Sequence, residues 1–184
     1  MRLTIRLFVL AAAVLTLAQP LAAQTREGVM GDLIRDIAQV ETKVMGLAKA
    51  MPAAAHDWRP AKGVRSTGEV FLHIAADNYF LPVLMGMPAP AETGITKEYS
   101  TAAAFEKKAM SRDAVVAELE KSFAFLKASM TATPDAKLDA PLDVFGQKST
   151  TRGLWITTAT HLHEHLGQLI AYARSNNVTP PWSK

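Results

Sequence analysis

Four stretches of the chain repeat apolar side chains at spacings of three and four residues, and this periodicity constrains the fold more than any other feature. One apolar face per stretch is typical of amphipathic helices that pack together. Strands would alternate apolar and polar residues instead, and no alternation of useful length occurs. The predicted helices cover about residues 30–51, 66–85, 111–130 and 151–175. Four amphipathic helices in one domain predict an all-α four-helix bundle.

Local signals mark where the second and third helices begin and where the first two end. Ser66 with Glu69 three residues later is a capping-box pattern, and Ser111 can cap the third helix. Pro52 follows the first helix, and Pro82 falls inside the second, where it can kink the helix or end it early. These signals agree with the bounds that the apolar periodicity gives.

The connections between the later helices are unequal in length. Residues 86–110, rich in Gly, Pro, Ala and Thr, form a long connection in which we expect one helical turn near 103–108. Such a segment either crosses the surface of the bundle or covers a site as a lid. Residues 135–150 are expected to be irregular, since they contain Pro141 and Gly146.

The amino-terminal segment has the three parts of a secretory signal. Arg2 and Arg6 precede an apolar run, and small residues follow before Gln24. The run is shorter than the roughly 20 residues that a membrane-spanning helix needs. We therefore predict a signal peptide at residues 1–23 and a bundle domain at residues 24–184. The mature protein is expected in the periplasm or outside the cell, without stable membrane insertion.

Charge and cysteine content exclude several classes of function. The chain carries 20 Lys and Arg against 17 Asp and Glu, and loss of Arg2 and Arg6 with the signal leaves 18 against 17. A nearly neutral mature chain without a basic, aromatic-rich patch is not expected to bind nucleic acid. The absence of cysteine excludes disulfides, thiolate metal sites, iron–sulfur clusters and a cysteine nucleophile.

Three of the five histidines lie in one five-residue stretch of the last predicted helix, residues 161–165. His161 and His165 are four residues apart, so they lie about 40° apart around the helix and can bind one ion. His163 points about 180° away from their midpoint and is not expected to join them. Gln168 and Tyr172 share the strip of His161 and His165. A histidine pair at this spacing is also common as ordinary surface polarity.

A third ligand for such an ion has to come from another helix. His73 lies mid-helix among apolar residues, where a lone imidazole would be costly without a partner. Asp77, one turn later, can orient His73, accept a hydrogen bond from a metal-bound water, or act as a ligand itself. His56 lies in a loop and is the weakest candidate.

The segments 66–75 and 161–174, the Trp58-Arg59-Pro60 loop and the trailing Pro180-Pro181 resemble the DinB/YfiT-like superfamily of metal-binding four-helix bundles. The resemblance implies a bundle of up-down-down-up order with a long second connection. It also implies that three histidines bind a divalent ion, and by match these are His73, His161 and His165. Members include thiol-dependent transferases and isomerases, whereas others are regarded as hydrolases. The family name implies neither DNA binding nor polymerase activity.

Three functions remain open at this point. In an enzyme, three neutral imidazoles with an open coordination position suit zinc or nickel, which would activate a water or a thiol against a small-molecule substrate. Asp77 and Gln168 are then candidate water-orienting groups. In a binding module, the protein sequesters or senses a metal or holds a small ligand without turning it over, and a fourth protein ligand closes the site. In a structural domain, the histidines are merely buried. A homodimer is compatible with each of these.

Overall fold

The structure is a computed structural model that describes residues 26–183. The predicted signal peptide at residues 1–23 lies outside the described residues. Single turns of 3₁₀ helix occupy Ala53–Ala55, Ala91–Thr93 and Asp135–Lys137. The longer elements of the described part are α1 (Gly28–Ala50), α2 (Thr67–Leu84), α3 (Tyr99–Glu106), α4 (Arg112–Ala132), β1 (Pro141–Val144), β2 (Gln147–Thr150) and α5 (Thr151–Ser175).

Side-chain caps start α2 and α4 at the two serines that the sequence predicts. At α2 the Ser66 hydroxyl accepts a hydrogen bond from the Glu69 amide, and the Glu69 carboxylate accepts one from the Ser66 amide. The Ser111 hydroxyl accepts from the Ala114 amide at the start of α4, and the Thr150 hydroxyl accepts from the Gly153 amide at the start of α5. Pro82 neither shortens nor breaks α2, because it lies in the last turn of that helix. The capping-box prediction is therefore confirmed.

The bundle has two antiparallel pairs whose ends are tied by hydrogen bonds. Arg112, at the start of α4, donates to the carbonyl of Met51 just after α1, at 2.9 Å. Arg26, just before α1, donates to the carbonyl of Met130 near the end of α4, also at 2.9 Å. Tyr172, near the end of α5, donates to the Arg65 carbonyl just before α2. Thus α1 is antiparallel to α4, and α2 is antiparallel to α5.

The remaining neighbours run parallel. The middle of α2 contacts the middle of α4, where the Asn78 amide donates to the Ser122 hydroxyl at 3.0 Å. Met85, the residue after α2, and Ala132, the last residue of α4, line one cavity. Each of α1 and α2 packs against both α4 and α5. The all-α four-helix bundle and its up-down-down-up order are therefore confirmed.

The long connection contains a fifth helix that the apolar periodicity does not reveal. The sequence predicts one turn near 103–108, whereas α3 begins at Tyr99 and ends at Glu106. Ala102 and Phe105 of α3 are buried, and the Phe105 ring lies 5.9 Å from that of Tyr79 on α2. An eight-residue helix completes only two turns, too few for a clear pattern of threes and fours. The connection is therefore packed against α2.

The prediction that residues 135–150 are irregular is wrong for their second half. β1 and β2 form a two-stranded antiparallel hairpin, paired from Pro141 with Thr150 to Val144 with Gln147. Each strand has only four residues, and half of these are exposed while none is buried, so the strands are too short and too exposed to give a clear apolar alternation. The hairpin leads directly into α5. Among the described helices, none is long and apolar enough to cross a membrane.

Candidate metal site

Three histidine side chains from two helices converge between α2 and α5. The Nε2 atom of His161 lies 3.2 Å from Nε2 of His73 and 2.9 Å from Nε2 of His165. The ligand atoms of all three residues lie within 4.8 Å of one another. His73 and His165 are buried, whereas His161 exposes 24% of its side chain. The structure thus brings together the three histidines that spacing and family resemblance single out.

The other two histidines lie outside this group. His163 points to the opposite side of α5, where its Nε2 lies 2.9 and 3.0 Å from the carboxylate oxygens of Asp36 on α1. About half of the His163 side chain is exposed. His56 is buried beside Phe71, with ring centroids 5.8 Å apart. Neither ring shares the point at which the other three meet.

His73 is held by a carboxylate from α3. Its Nδ1 lies 2.5 Å from Oε1 of Glu106, and Arg65 donates to Oε2 of the same carboxylate at 3.0 Å. Burial by itself raises the pKa of Glu106, but the hydrogen bonds and charges of His73 and Arg65 outweigh it and hold that pKa below its usual value. An ionised carboxylate only accepts, so Nδ1 of His73 carries the hydrogen. When the ring binds a metal, Nε2 is therefore the nitrogen of His73 that can act as the ligand.

His165 is fixed from the other side by an amide. Its Nδ1 lies 2.9 Å from Oε1 of Gln168, while Nε2 of Gln168 donates to the Tyr172 hydroxyl at 3.0 Å. That hydroxyl donates to the carbonyl of Arg65 at 3.2 Å. Because Arg65 also binds Glu106, the polar chain runs around the site from His165 to His73. Gln168 therefore contacts the far side of the His165 ring and not the point of convergence.

Asp77 is the fourth polar group at the point of convergence. Its Oδ2 lies 3.2 Å from Nε2 of His161 and 3.4 Å from Nε2 of His73. Burial raises the pKa of Asp77 to about 6, an effect that the neighbouring His73 opposes and Glu106 reinforces. Asp77 is thus placed either to bind the same ion as the histidines or to exchange a proton beside it.

Two of the three imidazoles, those of His161 and His165, are favoured in their neutral form. Burial, followed by the charges of His165 and His73, lowers the pKa of His161 to about 3. Burial also lowers the pKa of His165, although its hydrogen bond to Gln168 works against the change. A metal binds only the unprotonated nitrogen, so a low pKa keeps the ligand form available in weak acid.

The donor set fits a divalent transition metal. Nitrogens at the usual zinc distance in a tetrahedral site lie ~3.4 Å apart, close to the separations of 2.9 and 3.2 Å between the Nε2 atoms. Acceptors occupy Nδ1 of His73 and His165, an arrangement that fixes the tautomer of a ligating imidazole. Nδ1 of His161 is buried and has no partner among residues 26–183, so only its Nε2 contacts other polar atoms. These three histidines could therefore hold a metal ion.

Two residues of the site, Glu106 and Arg65, are not predicted from the sequence. Glu106 lies in the long connection, 33 positions from His73, and no spacing rule links the two. Arg65 lies in a loop, where its sequence context gives no sign of its partner. The one available signal is the requirement that a buried imidazole needs an acceptor for its second nitrogen.

Both the sequence and the fold are similar to those of known DinB-like proteins. The family model that matches residues 36–169 is described as the DinB superfamily. The structure resembles a DinB-like protein from Bacillus subtilis, with TM-score 0.63, 18% identity, and coverage of 83% of this chain and 97% of that one. It also resembles a DinB-like protein from Bacillus cereus (TM-score 0.63, 20% identity, 83% and 95% coverage). A conserved protein from Enterococcus faecalis has TM-score 0.67, 13% identity, and 81% and 97% coverage. At these identities the likeness shows the fold alone, and no curated protein matches the sequence significantly.

Proposed function

The chain belongs to the DinB superfamily, and we propose that it is an exported metal-dependent enzyme that acts on a small molecule at the three-histidine site. The observation that carries the proposal is the convergence of three Nε2 atoms, with a carboxylate oxygen beside them. Buried polar groups of a purely structural domain would be expected to satisfy one another through opposite hydrogen-bonding roles. Here three imidazoles instead direct the same kind of atom at one point.

Zinc or nickel bound there would supply a Lewis acid that activates a water molecule or a thiol near neutral pH. The proposed reaction class is accordingly hydrolysis or thiol-dependent transfer. Glu106 and Gln168 hold His73 and His165 in the tautomer that presents Nε2 to the ion. His161 is less buried than the other two rings, which leaves its side as the approach for a substrate.

Asp77 is the residue to which we assign proton transfer. Burial raises the pKa of Asp77 to about 6 in the metal-free protein, and a positioned carboxylate of this kind can accept a proton from a neighbouring group. Its Oδ2 lies 3.2 Å from Nε2 of His161, within reach of a group bound next to the ion. Gln168 is assigned a positioning role, because its amide oxygen contacts Nδ1 of His165.

The position of Asp77 also favours a second candidate function. A carboxylate oxygen within 3.4 Å of two histidine nitrogens is suitably placed to be a fourth ligand. Three histidines and one carboxylate would complete a closed tetrahedral site, which is typical of structural and storage sites and not of catalytic ones. The protein would then be a non-catalytic metal-binding module.

Substitution of Asp77 by Asn separates the two functions. In the enzyme, D77N should bind metal with nearly unchanged affinity and lose turnover by about 10²–10⁴-fold, the usual contribution of a positioned general base. In the closed site, D77N should weaken metal binding strongly. The measurements are metal content of tag-free protein by elemental analysis and turnover of ester, amide and thiol-acceptor panels. Equal turnover by metal-loaded and metal-free protein would contradict the enzyme proposal.

Export has its own test. The proposal rests on the arginine-flanked apolar run that ends near Ala23. Mass spectrometry of the protein recovered from its native compartment should find an amino terminus at Gln24 or a close neighbour. A full-length cytosolic product that begins at Met1 would contradict export.

A further inference from the structure

The tip of the β-hairpin carries a residue that the turn does not favour. Phe145 and Gly146 connect β1 to β2, and both have positive φ, 54° and 80°. Two-residue turns of this kind favour Asn, Asp or Gly at the first position, because a bulky side chain is disfavoured in left-handed backbone. The Phe145 side chain is also 65% exposed. The turn therefore does not account for a phenyl ring at this position.

The Phe145 ring belongs to a cluster of three aromatic rings, which we call the aromatic cluster: Phe80 of α2, Tyr99 of α3 and Phe145. The Phe145 ring is stacked on that of Phe80, with centroids 6.0 Å apart and planes 15° apart. The Tyr99 ring stands edge-on to both, at 6.0 and 6.1 Å. Tyr99 and Phe145 are the two most exposed large apolar side chains of the described residues, at 52% and 65%.

Two helices connect the aromatic cluster to the three-histidine site. On α2, Phe80 lies seven residues after His73 and three after Asp77, so all three occupy one side of the helix and Phe80 lies about 10 Å from His73 along the axis. On α3, Tyr99 and Glu106 mark opposite ends of an eight-residue helix, again about 10 Å long. Glu106 is the residue that binds His73. The cluster thus lies about 10 Å from His73 along α2, with Asp77 in between, and about 10 Å from Glu106 along α3.

The extent of the cluster fits a small molecule and not a protein. A stable protein interface needs roughly 800 Å² from each partner, whereas only two rings of the cluster are exposed. Flat apolar ligands are bound by aromatic rings in stacked and edge-on arrangements such as these.

We propose that the aromatic cluster is a substrate subsite that binds a flat apolar or aryl group while the polar end of the same molecule reaches the metal. This inference rests on the proposed function. It adds a substrate class: molecules with an apolar ring separated from a metal-reactive polar group by a spacer of about 10 Å or less. Contact of the Phe145 ring with the substrate would give the unfavourable turn residue a function.

Hydroxamates of graded length test the subsite on zinc-loaded protein. Calorimetry gives the affinity of each ω-phenylalkanohydroxamate and of the alkanohydroxamate of equal chain length without the ring. At the optimal length, the ring should improve affinity on the order of tenfold to a hundredfold. In Phe145→Asn that ratio should fall on the order of fivefold. Trp182→Ala, which removes an exposed aromatic side chain elsewhere on the surface, should leave the ratio unchanged.

Phe145→Asn also distinguishes a subsite from a structural contact. Asn is favoured in left-handed backbone, so the thermal unfolding midpoint should stay the same or rise while the affinity ratio falls. A lower midpoint with an unchanged ratio would overturn the inference, and so would a change of oligomeric state on gel filtration, since the rings would then contact a second copy. If hydroxamates bind only with zinc but gain nothing from the ring, the subsite fails and the proposed function stands. If hydroxamates do not bind at all, both fail.

Discussion

His161 and His163 are two residues apart on α5, yet they occupy opposite chemical environments. His161 faces α2 and meets two further imidazoles and Asp77. His163 faces α1 and pairs with Asp36, with about half of its side chain in water. The same residue type therefore takes part in a convergent site on one side of the helix and in an ordinary surface pair on the other.

The difference teaches that the surroundings of a histidine matter more than its presence in a cluster. The two ligand candidates that are fully buried, His73 and His165, each have an acceptor on Nδ1, and these acceptors belong to a continuous polar chain through Arg65. Among residues 26–183, the His163 side chain has a single hydrogen-bonding partner, the carboxylate of Asp36. A convergent set of nitrogens with fixed tautomers is what a metal needs, and a single exposed pair is not.

The largest effect is expected from removing one of the three convergent imidazoles. His73→Ala, His161→Ala and His165→Ala should each weaken metal binding by more than the roughly 10–100-fold that loss of an outer partner causes. The bundle should still fold, because the apolar faces supply most of the helix packing. Bound metal per chain after identical loading is the measurement, with His163→Ala as the matched control. Loss of metal from His163→Ala together with its retention in His161→Ala would show that the metal ligand lies on the other side of α5.

The next effect concerns the carboxylate that holds His73. Glu106→Ala should weaken metal binding roughly 10–100-fold, and Glu106→Gln by less, since an amide oxygen still accepts from Nδ1. Competition with a chromophoric chelator measures the affinity. Glu120→Gln, which removes an exposed partner of Lys49, is the control and should have no effect. Equal affinities for all variants would show that Glu106 does not position the ligand.

A smaller effect should be visible in the pH dependence of the metal-free protein. The pKa of His161 is lowered from 6.5 to about 3, so the unfolded chain takes up a proton first as the pH falls. The free energy of unfolding should therefore decrease from about pH 6.5 toward pH 3. Asp77 works in the opposite direction below pH 6, because its pKa is raised in the folded state. Urea unfolding at several pH values measures this free energy. Between pH 6.5 and pH 3 it should fall less in His161→Gln than in the wild type or His163→Gln. An equal dependence on pH in all three proteins would contradict the assignment to His161.

The smallest effect is expected on the other side of α5. Asp36→Asn removes the carboxylate that faces His163, and an exposed pair of this kind contributes about 0–1 kcal/mol to stability. Chemical denaturation of metal-loaded protein should show a change within that range and no loss of metal. A large loss of stability or of metal would mean that the pair is part of the site.

The sequence predicts the helical framework well, because that framework depends on local patterns. The bounds of α5, the capping box at Ser66 and the phase that separates His163 from His161 all follow from residues close together in the chain. The contact of Glu106 with His73 and the full length of α3 could not be predicted in this way. Both depend on the packing of Ala102 and Phe105 against α2, a tertiary contact without a local sequence signature.

Anomalous diffraction from crystals of the tag-free, metal-loaded protein tests the central claim most directly. Data collected on both sides of the absorption edge of the bound metal locate the ion without reference to activity. The account predicts a single strong peak within about 2.0–2.2 Å of Nε2 of His73, His161 and His165. A peak between His163 and Asp36, or an ion held by fewer than three of these histidines, would contradict it.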